Sequence, residues 1–396
     1  MKLKLIEPGK IPFFTKDAAP GWHPMLGLSL LAALTPPEWE ISIVDGDAVE
    51  NLDFDEDLDL VGVSILSVHA AKAYDVLDAY REKGVKTVAG GCHPTYLPEE
   101  AKQHADAVVI GEGEAVWPQV LEDAKQGKLK KFYRADRYVD ASKIPIPRID
   151  LLDDKEYAKV QQLIPTRGCP KGCLICIAPV RHGLAVRKRA VSDVVEELKL
   201  IQKLRGKDVL ISIPENPTIN REYANQLCPA LEPLQADLSI EGYLPQFRDE
   251  DYLKMLKKAG CSLIYAQVEG LTEANKSQRL PIYEESVKKT MDAGIDLIVN
   301  FMVAFDDQDK SVFFETWDFI DKLQLVAAVE VLTPWPGTPL FKRMKKEKRI
   351  ITEDWSQYDG CHVVFKPKLM TEDEARWGFA QSIHRVLIKG LEARKF

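Results

Sequence analysis

The chain of 396 residues is short of three things, and each shortage removes a class of protein. Long apolar runs are missing. The most hydrophobic early stretch, Met25 to Leu34, falls well below the roughly 20 residues that cross a bilayer, and it follows the charged Glu7, Lys10, Lys16 and Asp17. Neither a membrane span nor a cleaved leader is expected. Positive charge is short as well: 53 Lys and Arg stand against 61 Asp and Glu, a net charge of -8, so no basic field gathers nucleic acid or anionic lipid. Cysteine is too unevenly placed for a disulfide framework. Of seven, Cys92, Cys228, Cys261 and Cys361 are scattered and three are crowded together. These features predict a cytoplasmic protein in a reducing compartment. What is present, 45% hydrophobic and 29% charged residues, belongs to a globular chain long enough for two domains.

The crowded cysteines lie in PTRGCPKGCLICIAP, residues 165 to 179, as CxxxCxxC. Spacings of two and three residues let a short loop curl Cys169, Cys173 and Cys176 toward one center, with Gly168, Pro170 and Gly172 shaping the backbone. The preceding LIPT reads as a strand, so the loop falls at a strand's carboxyl end, where a barrel keeps its active site. Three readings compete: an inert loop, a structural zinc site that borrows His182 as fourth ligand, and an iron-sulfur cluster with one iron left open.

Before this loop, short apolar runs alternate with helical patterns: MKLKLI, MLGLSLLAAL, EISIVD, LVGVSIL, HAAKAYDVLDAY, KTVAGG, PEEAKQHA, AVVIGEGE, AVWPQVLEDAKQ. Such alternation predicts a parallel, doubly wound, Rossmann-like sheet, which binds ligands at the carboxyl ends of its strands. Asp45, Ser64, Ser67, Gly90, Gly91, Gly111, Glu112, Gly113 and Glu114 fall there. Residues 131–160, with the prolines of IPIPR, read as a linker. After the cysteines come a helical pattern through VVEELKLIQKL and then DVLISI, ADLSIEG, SLIYAQVEG, DLIVNFMVAF and AAVEVLTP as strands separated by helices. With the strand before the cysteines this makes a partial (β/α)6 barrel, closed by one amphipathic helix after residue 370.

CxxxCxxC is the pattern of the radical S-adenosylmethionine (SAM) superfamily, and Cys169, Cys173 and Cys176 match it residue for residue. The ordered set LGLSLLAAL, IVDGD, VGVSIL, AGGCHPT, ADAVVIGEGE resembles the cobalamin-binding domain that precedes the barrel in one large group of these enzymes. The resemblance implies an α/β chain of four parts. These are a cobalamin-binding domain over 1–130, a linker over 131–160, a radical SAM barrel over 161–345 and a carboxyl-terminal extension over 346–396. It implies a 4Fe-4S cluster, SAM and cobalamin as cofactors, and a reductant such as flavodoxin or ferredoxin as partner.

The resemblance also assigns residues. Glu215 and Asn216 are placed at the SAM ammonium, Glu269 and Gln267 at its ribose, and Arg187 and Arg189 at its carboxylate. No DxHxxG loop is present to bring a histidine to cobalt, so the lower face is expected to be free or loosely covered, with Leu66, Ser67, Val68 and His69 near it. His69 is a candidate cobalt ligand and His93 a candidate peripheral contact. Trp335, Tyr358, Asp359 and His362 are candidates to face the substrate. A departure lies in FMVAFDDQDKS, where the family often has a glycine-rich turn. The activity implied is a carbon methyltransferase working on an unactivated carbon through methylcobalamin and a 5'-deoxyadenosyl radical. Cobalamin-dependent oxidation, cyclisation, ring contraction or carbon-carbon coupling is the alternative, and a metal-binding sensor or scaffold is the distant one. The sequence does not name the substrate.

Overall fold

A computed structural model describes residues 1–9, 11–14, 20–23, 26–152, 157, 159–214 and 220–393. The chain divides into two compact units, the first built mainly from residues 1–206 and the second mainly from 207–396.

In the first unit six parallel strands form one sheet, in the order Glu40–Asp45, Lys2–Glu7, Leu60–Ser64, Lys86–Gly90, Ala107–Ile110, Phe132–Arg134. The helices Leu26–Ala33, Ala70–Glu82, Pro98–His104 and Trp117–Lys125 are the crossovers that parallel pairing requires. Leu3, Leu5, Leu28, Leu60, Val88 and Trp117 are buried between sheet and helices. Lys2–Glu7, the first strand, lies between Glu40–Asp45 and Leu60–Ser64, the next two strands of this sheet in chain order, so the order reverses on either side of it. In a doubly wound sheet that reversal opens a crevice at the carboxyl ends, here at Glu7 and Ser64.

The last strand, Phe132–Arg134, arises within the segment read as a linker. Three residues, FYR, are too few to show a period, and neighboring lysines hide them. Past it the chain runs through single 3-10 turns, Ala141–Lys143 and Ile149–Leu151, to the strand Val160–Gln162.

The second unit holds five barrel strands, Leu210–Ile213, Asp237–Tyr243, Cys261–Glu269, Asp296–Val303 and Val326–Val331, all parallel and paired in chain order. Helices Arg221–Leu231, Glu250–Lys258, Lys276–Asp292 and Ser311–Lys322 connect them, and Glu372–Ala393 is the closing helix. Asn220 and Asp249 cap two of these helices through side-chain oxygens on the Tyr223 and Tyr252 amides, 2.9 and 3.0 Å away. The fold is α/β throughout, a Rossmann-like domain followed by a partial barrel. Lys276–Asp292 starts well before the EESVKKTMDAG pattern and takes Pro281 inside, at the loss of one helical hydrogen bond. The turn after Asp296–Val303 is built without glycine: Ala304 adopts φ +70, and the buried Gln308 side chain holds the Phe305 amide and the Gly270 carbonyl.

Candidate functional site

The cysteine loop hangs from a two-stranded antiparallel pair, Thr166–Arg167 with Arg187–Lys188. Gly168 leaves the first strand at φ +93, and a Cβ there would come 2.2 Å from the Ala185 carbonyl oxygen, so only glycine takes this corner. The Cys169 amide donates to the Gly183 carbonyl (3.1 Å) and the Cys176 amide to the Cys173 carbonyl (3.2 Å). All three thiols are free of disulfides, with Cys173 exposed and the other two partly exposed. Among the described residues no three His, Cys, Asp or Glu side chains gather to hold a single metal ion.

His182, the residue a zinc site would have to borrow, is 4% exposed, and its Nδ1 lies 2.7 Å from Glu112 Oε1. It belongs to a buried charge network at the base of the loop. Glu112 also accepts from Arg187 Nη1 and Nη2 (2.9 and 2.5 Å) and from the Val139 amide (2.6 Å), and lies 3.6 Å from Arg167 Nη1. Arg167 Nη2 donates to Glu114 at 2.5 Å. Burial alone would raise the Glu112 carboxyl, but the His182 and Arg187 hydrogen bonds and the Arg167 charge hold it well below the usual range. Burial likewise opposes Arg167 at Glu114, and Arg167 prevails.

These contacts revise several expectations. Glu112 and Glu114 are spent on arginines, where the sequence reading gave them to cobalamin. Arg187, read as a fork for the SAM carboxylate, is bound to Glu112 and to the Val139 and His182 carbonyls. Arg189 is 3% exposed and pairs with Glu197 Oε2 at 2.6 Å. A pair of arginines before a helix gives no signal of which carboxylate it meets.

At the carboxyl ends of the first sheet the loops are tied together. The Ile65 amide donates to the Gly90 carbonyl (2.8 Å), the His93 amide to the Ile65 carbonyl (3.0 Å), and the Gly111 amide to Thr95 Oγ1 (3.1 Å). Gly91, at φ +99, leaves no room for a Cβ beside the Ile65 amide. Gly113 packs near Leu31. Ser64, Leu66, Val68 and Gly90 are partly exposed around this rim. His93 is fully buried, with Nδ1 at 3.1 Å from Ser67 Oγ and Nε2 at 3.1 Å from Glu100 Oε1, so neither nitrogen is offered to a cofactor. His69 differs: its Nδ1 is buried without a hydrogen-bond partner, its ring packs on Gly9, and burial followed by the Lys72 charge lowers its pKa. A neutral imidazole with an unpaired nitrogen is the form that binds metal.

One residue of this rim was missed. Glu7 ends the strand Lys2–Glu7 at 0% exposure, where the Ser64 hydroxyl at the end of the next strand acts on it as a hydrogen-bond donor. Burial pushes it up to about 8 against the opposing hydrogen bond from Ser64, with Asp45 on the neighboring strand adding to the rise and Arg181 opposing it. Asp45 accepts from the Tyr157 hydroxyl at 2.6 Å. One glutamate closing an apolar run reads as a strand end, which is why the sequence did not flag it.

In the second unit, Gln267 and Glu269 lie on the partly exposed face of Cys261–Glu269. Gln267 Oε1 accepts from Asn300 Nδ2 at 3.0 Å, and Glu269 pairs with Arg279 at 2.5 Å. Glu330 shares that face, and burial raises its carboxyl. Glu215 and Asn216 lie outside the described residues. Tyr358 is fully buried with its hydroxyl on the Thr352 carbonyl (2.8 Å), so it packs the unit's interior instead of meeting a substrate. His362 is exposed, held by Asp359 at 2.9 Å. Trp335, partly exposed, opens a turn in the first unit in which Gly337 packs against the Tyr96 ring.

Comparison with known proteins agrees with this layout. Residues 16–121 match the B12 binding domain and residues 163–320 the radical SAM superfamily. The bacteriochlorophyllide d C-12(1)-methyltransferase of Chlorobaculum tepidum is 30% identical over 381 residues, 92% of this chain and 82% of the relative. The bacteriochlorophyllide d C-8(2)-methyltransferase of the same organism is 28% identical over 375 residues, 86% of this chain and 80% of the relative. The radical SAM methyltransferase TsrM from Kitasatospora setae, solved with tryptophan substrate and a SAM analog, superposes with a TM-score of 0.66 at 15% identity, covering 87% of this chain and 76% of that one. Three thiols in one short loop, a doubly wound sheet, matches to both domain families and a relative 30% identical over 92% of this chain lead to one assignment: the chain is a cobalamin-dependent member of the radical SAM superfamily.

Proposed function

We propose that the protein is a carbon methyltransferase and that its acceptor is a large ring compound of the tetrapyrrole class. The observation that carries this reading is the match, running through both domains, to two relatives named as bacteriochlorophyllide d C-8(2)- and C-12(1)-methyltransferases. When bound, the cluster with SAM supplies a carbon-centered radical oxidant and the corrinoid a transferable methyl group.

The chain's own residues divide the work. Cys169, Cys173 and Cys176 would hold the cluster, which would supply the reducing electron for SAM cleavage. The network of Glu112, Glu114, Arg167, Arg187 and His182 fixes the loop's base. Glu269 and Gln267, with Glu215 and Asn216, bind SAM. Ser64, Leu66, Val68, Gly90, Gly91 and Gly111 would line the corrinoid, with His69 beside it. Trp335 and His362 are left as contacts for the acceptor. Among the described residues no helix is long and apolar enough to cross a membrane. A cytoplasmic site of action, with flavodoxin or ferredoxin as electron donor, fits seven cysteines that form no disulfide.

The test is anaerobic incubation of reconstituted enzyme with cobalamin, a reductant, methyl-deuterated SAM and chlorophyllide-type tetrapyrroles, read by mass spectrometry. A deuterated methyl on tetrapyrrole carbon supports the whole reading. Label appearing instead in a compound drawn from cell extract keeps methyl transfer and removes the acceptor class. Accumulation of deoxyadenosine with no labelled product moves the protein to the non-methylating chemistries.

A further inference from the structure

A closed eight-stranded barrel fills its interior with branched apolar side chains. The strands of the second unit do otherwise. Along Asp237–Tyr243 and Cys261–Glu269 the inward residues Glu241, Tyr243, Tyr265, Gln267 and Glu269 are polar and partly exposed, while those between them are buried. The space they line suits a ligand and not a packed core. Register carries this face onto the next two strands: Gln267 lies beside Asn300, and Glu269 beside Met302, which lies beside Glu330. Glu269, Met302 and Glu330 thus form one layer near the carboxyl ends, where barrels keep their active sites. Glu330 is partly exposed in that layer, and its stem rests on Gly360, where an added Cβ would sit 3.6 Å from its Cγ. Asn300 acts on its carboxyl as a hydrogen-bond donor, and among the described residues no cation pairs with it. Asn300 itself is fully buried; its Nδ2 donates to Gln267 Oε1 at 3.0 Å, and its Oδ1 has no partner. This wall is rich in acceptors and short of donors, and Glu330 is the acceptor a bound molecule can reach.

The two ends of the layer have different partners. Glu269, with Gln267, is the SAM ribose contact in the reading above, and its carboxyl is paired with Arg279 at 2.5 Å. Glu330 stands two strand spacings away, about 10 Å. An acceptor carbon has to come within about 3–3.5 Å of the ribose-borne atom that takes its hydrogen. The acceptor therefore enters over Met302, and the side chain on its far flank is Glu330. We propose that Glu330 is a specificity-determining residue: its carboxyl accepts a hydrogen bond from a hydroxyl or N–H of the methyl acceptor and fixes which carbon of that molecule faces SAM. This rests on the radical SAM methyltransferase reading above. A carboxylate on the acceptor would be repelled there, so acidic substituents are turned away from Glu330.

Wild type, Glu330→Gln and Glu330→Leu are compared as full-length protein loaded with cluster and cobalamin and supplied with methyl-deuterated SAM. Three probes serve as acceptors. A vinyl chlorophyllide with its carboxyl ionised and its magnesium in place offers no O–H or ring N–H; its hydroxyethyl counterpart adds an O–H; its magnesium-free form adds ring N–H groups. A hydrogen bond to a charged acceptor corresponds to roughly tenfold to a hundredfold. Wild type is expected to favor a donor-bearing probe over the vinyl compound by that factor in kcat/KM, through KM. Glu330→Leu is expected to lose the preference and to release about tenfold more deoxyadenosine per labelled product. Glu330→Gln, still an acceptor, is expected to keep part of both. SAM affinity by isothermal titration, iron content and corrinoid absorption are expected to stay within about twofold of wild type in both variants. A loss of SAM affinity of about tenfold in Glu330→Leu overturns the proposal by assigning Glu330 to SAM. Equal use of the three probes by wild type, or an unchanged preference and coupling in Glu330→Leu, overturns it as well. If wild type labels no probe but labels a compound of cell extract, the tetrapyrrole reading falls, and the ratio of deoxyadenosine to that product decides on Glu330. Absence of labelled product from any source overturns the methyltransferase reading and the Glu330 assignment with it. If Glu330→Leu does not fold, Glu330→Gln and the wild-type preference decide alone.

Discussion

Arg167 and Arg187 stand directly opposite one another in the antiparallel pair that carries the cysteine loop, and both guanidiniums face Glu112. Like charges opposite each other in a ladder repel, so the pair depends on the buried carboxylate between them. Removing one partner of a buried ion pair costs about 3–5 kcal/mol. Glu112→Gln is therefore expected to lower the urea midpoint of the first unit and to cut the iron retained after reconstitution. The pH course has a definite sign. Because the folded-state carboxyl lies below its unfolded value, its contribution is full above the unfolded carboxylate range near 4.5 and declines as pH falls below it. Urea melts at several pH values check this: wild type and Glu112→Gln are expected to converge on acidification.

Gly168→Ala tests whether the loop's corner is obligatory. The left-handed conformation costs a non-glycine residue about 1–2 kcal/mol, and the Cβ would also press on the Ala185 carbonyl oxygen. Cluster assembly is expected to fail while cobalamin binding persists, as read by iron analysis beside the corrinoid spectrum.

Single Cys→Ser changes at 169, 173 and 176 are each expected to bring iron and acid-labile sulfide close to background and to abolish deoxyadenosine formation. Cys361→Ser, at an exposed thiol away from the loop in sequence, is expected to keep both.

Glu7 leaves a mark on stability. Its folded-state value of about 8 lies above its unfolded value of 4.5, so its contribution is full below the unfolded value and is lost as pH rises through that window. Compared with wild type, cofactor-free Glu7→Gln is expected to gain relative stability as pH rises from about 5 to about 8 and no more beyond. Urea unfolding across that range measures it, and a pH-independent difference would mean that Glu7 ionises normally.

Glu269→Gln is expected to weaken SAM binding. A hydrogen bond to a charged acceptor contributes about 1.5–3 kcal/mol, or roughly tenfold to more than a hundredfold. Isothermal titration of the cluster-loaded protein with SAM reads the loss directly, and the Arg279 ion pair serves as the internal control through Arg279→Lys.

Much of this architecture was legible because strand-helix alternation survives without an alignment: nearly every apolar run in the first 125 residues became a strand or helix. The cysteine spacing was legible for a chemical reason, since few other purposes place three thiols within eight positions. The arginines were not. Arg187 and Arg189 lie two residues apart, yet one reaches Glu112, far back in the sequence, and the other Glu197, one helix ahead. Long-range pairing of charges leaves no local trace. Tyr358 and His362 show the same limit: both are polar and near each other, and burial, which sequence does not reveal, separates a packed tyrosine from an exposed histidine. Ala304 shows a further one. The turn keeps its left-handed residue without the glycine that would have advertised it.

The anchoring of Arg167 and Arg187 also bears on where the chain can be divided. Drawn as a line, it is two modules joined by a proline-bearing connector, and a truncated chain beginning just before the cysteines would be the natural attempt at a minimal radical enzyme. Such a fragment would keep both guanidiniums and lose Glu112 and Glu114, leaving two unneutralised cations under the loop that must bind the cluster. Inherited as separable parts, the two stretches are no longer separable in folding.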